Sequence, residues 1–252
     1  MKEIATRGLN RRNNFRASLW AVLVLCALLA FVPGCGKGDN TAKDSDTDTE
    51  VDASVPTNVK TGVKPEPDAQ VAVIETNDYG RIVIELYPNI APRMVERFKK
   101  LVNEHFYDGT TFHRIDPQLG IIQGGDPLSK DNDPANDGTG DSPYPNVPGE
   151  FSDIPYERGT VGAARKGASP GFGGRPGLTE AQAFDTANCQ FYITLKRQPA
   201  FNKKYTVFGR VIEGIKTAEI IMGAPVKQGT ERPDPSIVIK SVTLQPRANF
   251  AQ

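Results

Sequence analysis

The stretch Val71-Ala-Val-Ile-Glu-Thr-Asn-Asp-Tyr-Gly-Arg-Ile-Val-Ile-Glu-Leu-Tyr87 contains two runs of β-branched and aliphatic residues on either side of a polar turn. Residues 71–76 and 81–87 have the length and composition of β-strands. Between them, Asn77-Asp-Tyr-Gly80 contains the residue types that favour tight turns. The stretch therefore predicts a β-hairpin at the start of the folded unit.

Further short strands are predicted downstream of this hairpin, over 111–115, 120–124, 160–164, 189–195, 206–211 and 236–244. Pro92 opens a helical pattern over 93–103, and a second helix is predicted over 215–222, ending at Gly223. Glycine and proline are frequent, at 24 and 20 residues, as expected where many turns join short strands. This pattern predicts a mostly β fold, either a closed barrel or a sandwich.

The charge balance and the residue counts exclude several classes of function. Lys plus Arg and Asp plus Glu each number 30 in 252 residues, so the net charge is zero. A nucleic-acid-binding protein normally has a basic face, so no nucleic-acid partner is expected. Two histidines and three cysteines argue against a zinc site and against a Cys/His catalytic pair. No metal and no cofactor are expected.

The N-terminus has the features of a secretory signal peptide over residues 1–34. Residues 1–16 contain five basic side chains and one acid, and the apolar run 19–32 follows. An uncleaved membrane anchor is the alternative interpretation, although fourteen apolar residues are few for a span. The sequence Val32-Pro33-Gly34-Cys35 resembles the bacterial lipoprotein box, which implies that Cys35 carries the lipid. The implied location is the bacterial cell envelope, lipid-anchored and facing the periplasm, at the outer membrane if the cell is Gram-negative.

Residues 35–69 are predicted to form a lipidated N-terminus and a disordered tether, because acidic, Ser, Thr and Pro residues predominate. A calcium site in the acidic run 43–50 is disfavoured, since the glycine turn and the terminal glutamate of a calcium loop are missing. The folded domain is predicted over 70–246, followed by a short C-terminal tail over 247–252.

Four motifs then occur in order within the predicted domain: Phe112-His113-Arg114-Ile115, Gln123-Gly124-Gly125-Asp126, Gln190-Phe191-Tyr192-Ile193 and Val207-Phe208-Gly209-Arg210-Val211. Together they resemble the successive signatures of cyclophilins, over residues 71–245. The resemblance implies a closed eight-stranded antiparallel barrel capped by two α-helices. It also implies peptidyl-prolyl cis-trans isomerase activity on proline-containing polypeptides. Because the chain has a predicted signal peptide, exported proteins are the expected substrates. We expect the protein to be a monomer.

The resemblance assigns the site residue by residue. Arg114 matches the catalytic arginine, whose donor groups would favour the twisted prolyl amide. An arginine in an ordinary surface ion pair is the alternative. The residues matched to substrate binding are Phe112, His113, Leu119, Ile121, Gln123, Ala164, Arg165, Gln190, Tyr192, Phe201 and Tyr205.

Strand alternation within Cys189-Gln-Phe-Tyr192 separates cleft residues from core residues. Gln190 and Tyr192 share one face, which the family pattern assigns to the cleft. Cys189 lies on the opposite face with Phe191, so we expect its thiol to be buried and unreactive.

Several positions depart from the cyclophilin pattern. Eight residues separate Arg114 from Gln123, one more than usual, and Leu119 or Ile121 must replace the usual pocket phenylalanine. Arg165 stands where asparagine is frequent, and Ala200 where tryptophan or histidine is frequent. Residues 127–149 and 167–184 form longer loops than usual. These loops either select which peptides enter the cleft or are insertions that the fold tolerates. A non-catalytic peptide-binding or chaperone module on the same fold is therefore the alternative function.

Overall fold

The computed structural model describes residues 56–131, 133–171 and 176–250. The predicted signal peptide, Cys35 and residues 36–55 lie outside the described residues. No helix within the described ranges is long and apolar enough to cross a membrane.

Strands dominate the described structure. They are β1 (Val59–Lys60), β2 (Gln70–Thr76), β3 (Arg81–Leu86), β4 (Arg114–Asp116), β5 (Ile121–Gly124), β6 (Phe151–Ser152), β7 (Thr160–Ala163), β8 (Phe191–Thr194), β9 (Val207–Glu213) and β10 (Ile239–Pro246). Eight of them form one antiparallel sheet in the order β10-β2-β3-β9-β7-β8-β5-β4, and β1 pairs separately with β6. The predicted hairpin is β2–β3, with Val73 opposite Val83.

The eight-stranded sheet curls into a half-barrel, so the predicted closed barrel is wrong. Its edge strands are β10 and β4, and no ladder joins them in the described part of the chain. Single backbone hydrogen bonds link the flanking segments instead: Phe112 donates to Ile237 at 2.9 Å, and Ile239 donates to Thr110 at 2.7 Å. β4 contains only three residues, and on its free edge the Ile115 N–H donates to the Glu231 oxygen at 2.7 Å, so a loop rather than β10 lies against this edge.

Three α-helices are present: α1 (Pro92–Asn103), α2 (Glu180–Ala183) and α3 (Ile215–Met222). The two predicted helices, α1 and α3, are confirmed. The additional helix α2 begins at a capping box formed by Thr179 and Gln182, inside the long 167–184 loop. Four residues are too few to show a helical period, so the hydrophobic pattern did not predict α2.

The main core is formed by strand residues of the half-barrel together with α1 and α3. The buried stripe of α1 consists of Met94, Val95, Phe98, Leu101 and Val102. The ring of Phe98 meets that of Phe191 on β8 edge-on, with centroids 5.7 Å apart. Full burial of each such side chain stabilises the fold by about 1.5–3 kcal/mol. This packing fixes the position of β8. Gln190 immediately precedes this strand, and Tyr192 is its second residue.

The described part of the predicted tether, residues 56–69, packs against the domain rather than extending freely. Lys60 on β1 donates through Nζ to the backbone oxygens of Asn89 and Ile90 at 3.1 and 2.7 Å. The Glu66 N–H donates to Oδ1 of Asn89 at 3.0 Å. These charged and polar bonds offset the entropy of ordering a polar segment, so residues 56–69 pack on the domain that follows them.

The predicted tail is also part of the fold over 247–250. The Arg247 N–H donates to the Ala69 oxygen at 2.8 Å, and Phe250 packs against the buried valines Val71, Val73 and Val83. These valines lie on the outer face of the sheet. The C-terminus therefore covers apolar surface that strand alternation would otherwise expose.

Candidate active site

One row of paired residues crosses four neighbouring strands and contains three of the predicted site residues. Arg114 on β4 pairs with Gln123 on β5, and Gln123 pairs with Tyr192 on β8. Tyr192 in turn pairs with Gly162 on β7. Since directly paired residues share one face of a sheet, the guanidinium, the amide and the phenol ring project to the same side. The register therefore brings a cation, a polar amide and an aromatic ring together.

The predicted alternation around the start of β8 is confirmed. Cys189 and Phe191 are completely buried in the main core, and burial raises the pKa of the Cys189 thiol to about 12. Gln190 lies on the other face, where its Nε2 donates to the Gly140 oxygen at 2.9 Å. Gln123 donates through Nε2 to Oε1 of Gln190 at 3.0 Å. The two glutamines thus form one amide chain beside a cavity of about 90 Å³.

The segment 127–149 reaches this cavity. Gly138, Thr139 and Asp141 line it, together with Gln123 and Gln190. The structure thus places part of this long loop beside the predicted cleft, where it can contact a bound peptide.

The Arg114 side chain is about one-third exposed and is held by two carboxylates. Its Nη2 donates to Oδ2 of Asp116 at 3.0 Å, and its Nε donates to Oε2 of Glu231. Glu231 lies in the loop between α3 and β10. Its backbone oxygen accepts a hydrogen bond from the Ile115 N–H at 2.7 Å. Asp116 directly follows the Phe112–Ile115 motif in the sequence, but no sequence signal connected Glu231, 117 positions away, with Arg114.

An aromatic and aliphatic cluster forms the apolar part of the site. The Tyr192 ring contacts Phe201 and Tyr205 with centroids 5.7 and 6.0 Å apart. The same cluster includes Leu119, Ile121 and Ala164. The structure thus brings together the residues predicted to bind the proline ring, and both candidates for the missing phenylalanine lie in the cluster.

Tyr156 belongs to this cluster and was not predicted from the sequence. Its ring stacks on Tyr192 with centroids 5.9 Å apart. Gly162 makes room for both hydroxyls, because a Cβ there would lie 2.6 Å from each oxygen. A tyrosine at position 192, where cyclophilins usually have phenylalanine, is therefore accommodated by the absence of a side chain at Gly162.

His113 is only 5% exposed and lines, with Arg114, a second cavity of about 390 Å³. Desolvation by burial lowers the pKa of its imidazole from 6.5 to about 4, although the nearby Asp126 carboxylate opposes this shift. The ring is therefore neutral near pH 7, and Arg114 supplies the positive charge beside it.

Two other predicted site residues lie in unexpected surroundings. Phe112, which the sequence pattern matched to substrate binding, is fully buried in the main core, edge-on to Phe191 at 6.2 Å, so its side chain has no surface exposed to a peptide. Arg165 is 4% exposed at its side chain and donates through Nη2 to Glu180 on α2 at 2.6 Å. Its guanidinium also lies over the Tyr205 ring, 4.4 Å from the centroid. Arg165 thus links Tyr205 of the aromatic cluster to Glu180 on α2. Its contact with substrate stays a prediction.

The described residues contain no group of three or more His, Cys, Asp or Glu side chains arranged to hold a metal ion. The chemistry available at the site is hydrogen bonding and charge from Arg114, Gln123 and Gln190, beside an apolar wall.

Comparisons with known proteins agree with this geometry. The family model for cyclophilin type peptidyl-prolyl cis-trans isomerase/CLD matches residues 71–244. A probable peptidyl-prolyl cis-trans isomerase of Brucella suis is 36% identical over 179 residues, covering 69% of this chain and 83% of the relative. Peptidyl-prolyl cis-trans isomerase B of Bacillus subtilis is 36% identical over 144 residues, covering 56% and 83%.

A crystal structure of a Cryptosporidium parvum cyclophilin type peptidyl-prolyl cis-trans isomerase has a TM-score of 0.58 and 28% identity, covering 70% of this chain and 97% of that chain. The structure of the same protein in the presence of the dipeptide Ala-Pro has a TM-score of 0.57 and 26% identity, covering 69% and 98%.

Proposed function

This chain belongs to the cyclophilin-type peptidyl-prolyl cis-trans isomerases, and on that premise we propose that Arg114 is its catalytic residue. The observation that carries the proposal is the row that places Arg114, Gln123 and Tyr192 side by side on one face. A fixed cationic donor there lies next to an amide and an aromatic wall. These are the groups that a prolyl peptide in mid-rotation requires.

The chemistry of the reaction explains why a donor is sufficient. Rotation about a peptide bond crosses a barrier of about 18–20 kcal/mol, which arises from amide resonance. As the amide twists, its nitrogen regains a lone pair and can accept a hydrogen bond. A donor aimed at that nitrogen binds the twisted state better than either planar isomer. The guanidinium of Arg114 remains charged throughout, so no proton has to be transferred.

The remaining side chains bind and orient the peptide. Tyr192, Phe201, Leu119 and Ile121 would surround the proline ring, whose burial supplies apolar binding energy. Gln123 and Gln190 would bind the substrate backbone, since their amides lie at the cavity surface. His113 would contact substrate as a neutral ring.

Substitution of the arginine tests this assignment. We expect Arg114→Ala to lower kcat/KM by about two orders of magnitude, equivalent to roughly 3 kcal/mol of transition-state stabilisation. The measurement is exchange NMR on a short Xaa-Pro peptide with the purified protein. Arg81→Ala, which also removes an exposed arginine paired with a glutamate, is the matched control. Near-wild-type exchange with Arg114→Ala would reject Arg114 as the catalytic residue.

We further propose that the isomerase is exported and tethered to the cell envelope through a lipid on Cys35, and that it acts as a monomer on exported polypeptides. The support is the basic segment, the apolar run 19–32 and the lipoprotein-like box that ends at Cys35. One acyl chain binds a membrane only marginally, whereas several anchor a protein stably.

Phase partition tests the anchor. The wild-type protein is expected to enter the detergent phase almost completely and to carry an acyl mass on residue 35. Cys35→Ala should abolish both properties, and Cys189→Ala serves as the control because its thiol is buried in the domain. Recovery of the wild-type protein in the aqueous phase without acyl mass would refute the anchor.

A further inference from the structure

The guanidinium of Arg114 is held from two directions by acidic side chains that come from different parts of the chain. Asp116 accepts from Nη2 at 3.0 Å, and Glu231 accepts from Nε. A guanidinium has five N–H donors in one plane. Two of them are bound to the carboxylates, which leaves both Nη1 donors and one Nη2 donor for a substrate. Two bonds at different nitrogens also fix the orientation of the plane.

Asp116 is a rigid support for this arrangement. It lies two residues after Arg114 on β4, so both side chains leave the same face of the strand. Its side chain is only 8% exposed, and its second oxygen accepts from Leu119 N–H at 2.8 Å. A buried carboxylate is costly unless it is paired and hydrogen-bonded, and here both oxygens have partners. The carboxylate therefore connects Arg114 to the turn that carries Leu119 at the apolar pocket.

Glu231 binds a second nitrogen of the guanidinium, Nε. Its side chain is 49% exposed, so its ion pair with Arg114 adds little to fold stability. Its backbone is nevertheless fixed, because Ile115 donates to its oxygen at 2.7 Å. The adjacent Arg232 binds Asp137 at 3.1 Å, which joins the same loop to the segment that lines the cleft. The loop is thus held at Glu231 and at the residue that follows it.

Gln123 does not share this task. It faces Arg114 across the strand pair, but its Nε2 donates to Gln190. Among the described residues, the hydrogen bonds and ion pairs of the Arg114 guanidinium go to Asp116 and Glu231. The orientation of the catalytic donor therefore depends on these two carboxylates.

We propose that Asp116 and Glu231 are positioning residues for isomerisation, which orient Arg114 so that its Nη1 donors are directed to the prolyl amide. The proposal rests on the assignment of Arg114 as the catalytic residue. Neither carboxylate contacts the reacting atoms, and each acts only through the guanidinium. A donor that is free to rotate binds the twisted amide less well, although it binds the planar ground state almost as before.

A double-mutant cycle tests this role. Glu231→Gln and Asp116→Asn keep the side-chain shapes but remove the charges. Exchange NMR at several peptide concentrations gives kcat and KM for each variant. We expect kcat to fall by at least about threefold for Glu231→Gln and about tenfold for Asp116→Asn, with KM within about twofold. In the Arg114→Ala background, the same substitutions should cause no further loss.

Matched controls separate positioning from general loss of charge. Glu213→Gln removes a 43% exposed glutamate from the Arg81 pair, and Asp68→Asn removes a largely buried aspartate from the Lys99 pair. Both lie outside the site and should leave kcat unchanged. The Nε–Hε NMR signal of Arg114 should shift in Glu231→Gln and stay in place in Glu213→Gln. Because Glu231 is half exposed, Glu231→Gln is expected to fold even if Asp116→Asn does not.

The outcomes distinguish the two assignments. A large loss with Arg114→Ala but an unchanged kcat with Glu231→Gln would overturn the positioning role alone. If either carboxylate substitution lowers kcat by the same factor in the wild type and in the Arg114→Ala background, the positioning role is also overturned. Full activity of Arg114→Ala would overturn both the positioning role and the catalytic role of Arg114.

Discussion

At the scale of single residues, the site combines a permanent cation with a histidine that burial keeps neutral. A guanidinium stays charged in proteins, and desolvation of the buried ring lowers the pKa of His113 to about 4. Neither group changes charge between about pH 6 and pH 8. We therefore expect kcat/KM for a peptide to be nearly flat over that range. A single steep ionisation in the measured profile would implicate another group in the reaction.

His113 should nevertheless make the fold sensitive to acid. An unfolded chain binds a proton at His113 near pH 6.5, whereas the folded chain does so only near pH 4. The unfolded state therefore binds more protons in this window, and stability falls as the pH falls. Between about pH 7 and pH 4.5 the loss from this group should be about 2–3 kcal/mol.

Urea unfolding of wild type and His113→Gln at the two pH values measures this loss. The variant should lose less stability on acidification than the wild type does. His105→Gln is the control, because the His105 side chain is largely exposed. An identical acid sensitivity of wild type and His113→Gln would contradict the buried, neutral histidine.

Ala200 should make the enzyme poorly sensitive to cyclosporin. In cyclophilins the tryptophan beside the cleft packs its indole on the drug and donates a hydrogen bond, and the sequence pattern matches Ala200 to that position. Ala200 is exposed in the 3-10 turn Pro199–Phe201, so it leaves this surface open. The missing contacts should weaken inhibition by about 30-fold to a thousandfold.

Inhibition titrations on wild type and Ala200→Trp measure this difference. The tryptophan variant should bind the drug more tightly, while turnover of a small peptide changes little. Nanomolar inhibition of the wild type would mean that other residues supply the contacts that the alanine lacks.

At the scale of elements, the short strand β1 depends on one lysine. Its pairing with β6 covers only Val59–Lys60, too little to be stable alone. The ammonium of Lys60 adds bonds to two backbone oxygens in the 87–91 turn, before α1. This contact joins the N-terminal segment to the structure that leads into the main helix.

Lys60→Met should lower the free energy of unfolding by about 1–2 kcal/mol, because two charge-assisted bonds are lost. Lys64→Met is the control, since Lys64 is exposed and its backbone oxygen, not its ammonium, is used by Asn89. Chemical unfolding with the peptide assay in parallel would report both stability and activity. Activity of the folded Lys60→Met protein should be unchanged, and an unaltered unfolding free energy would show that the two Lys60 bonds contribute nothing to stability.

At the scale of the whole molecule, Arg114, the proposed catalytic residue, lies at the open side of the half-barrel. β4 is an edge strand, so Arg114 has a paired strand on one side only. The loop between α3 and β10 occupies the other side through Glu231 and its backbone bond to Ile115. A closed ladder at this edge would have left no place for that loop. The open edge therefore gives the site a supporting residue from the distant C-terminal part of the chain.

The amino-acid sequence by itself determined the β2–β3 hairpin, α1, α3 and the inward and outward faces around β8. Each of these follows from a local period of hydrophobic residues, which a continuous stretch of chain displays directly. The resemblance carried by the motifs also assigned Arg114, Gln123, Gln190 and Tyr192 to one cleft. Tertiary structure alone decided the half-barrel, the burial of Phe112, the stacking of Tyr156 and the ion pair between Arg114 and Glu231. These features depend on how the sheet curls and on which loops then come into contact. The local period of hydrophobic residues in the sequence therefore does not predict them.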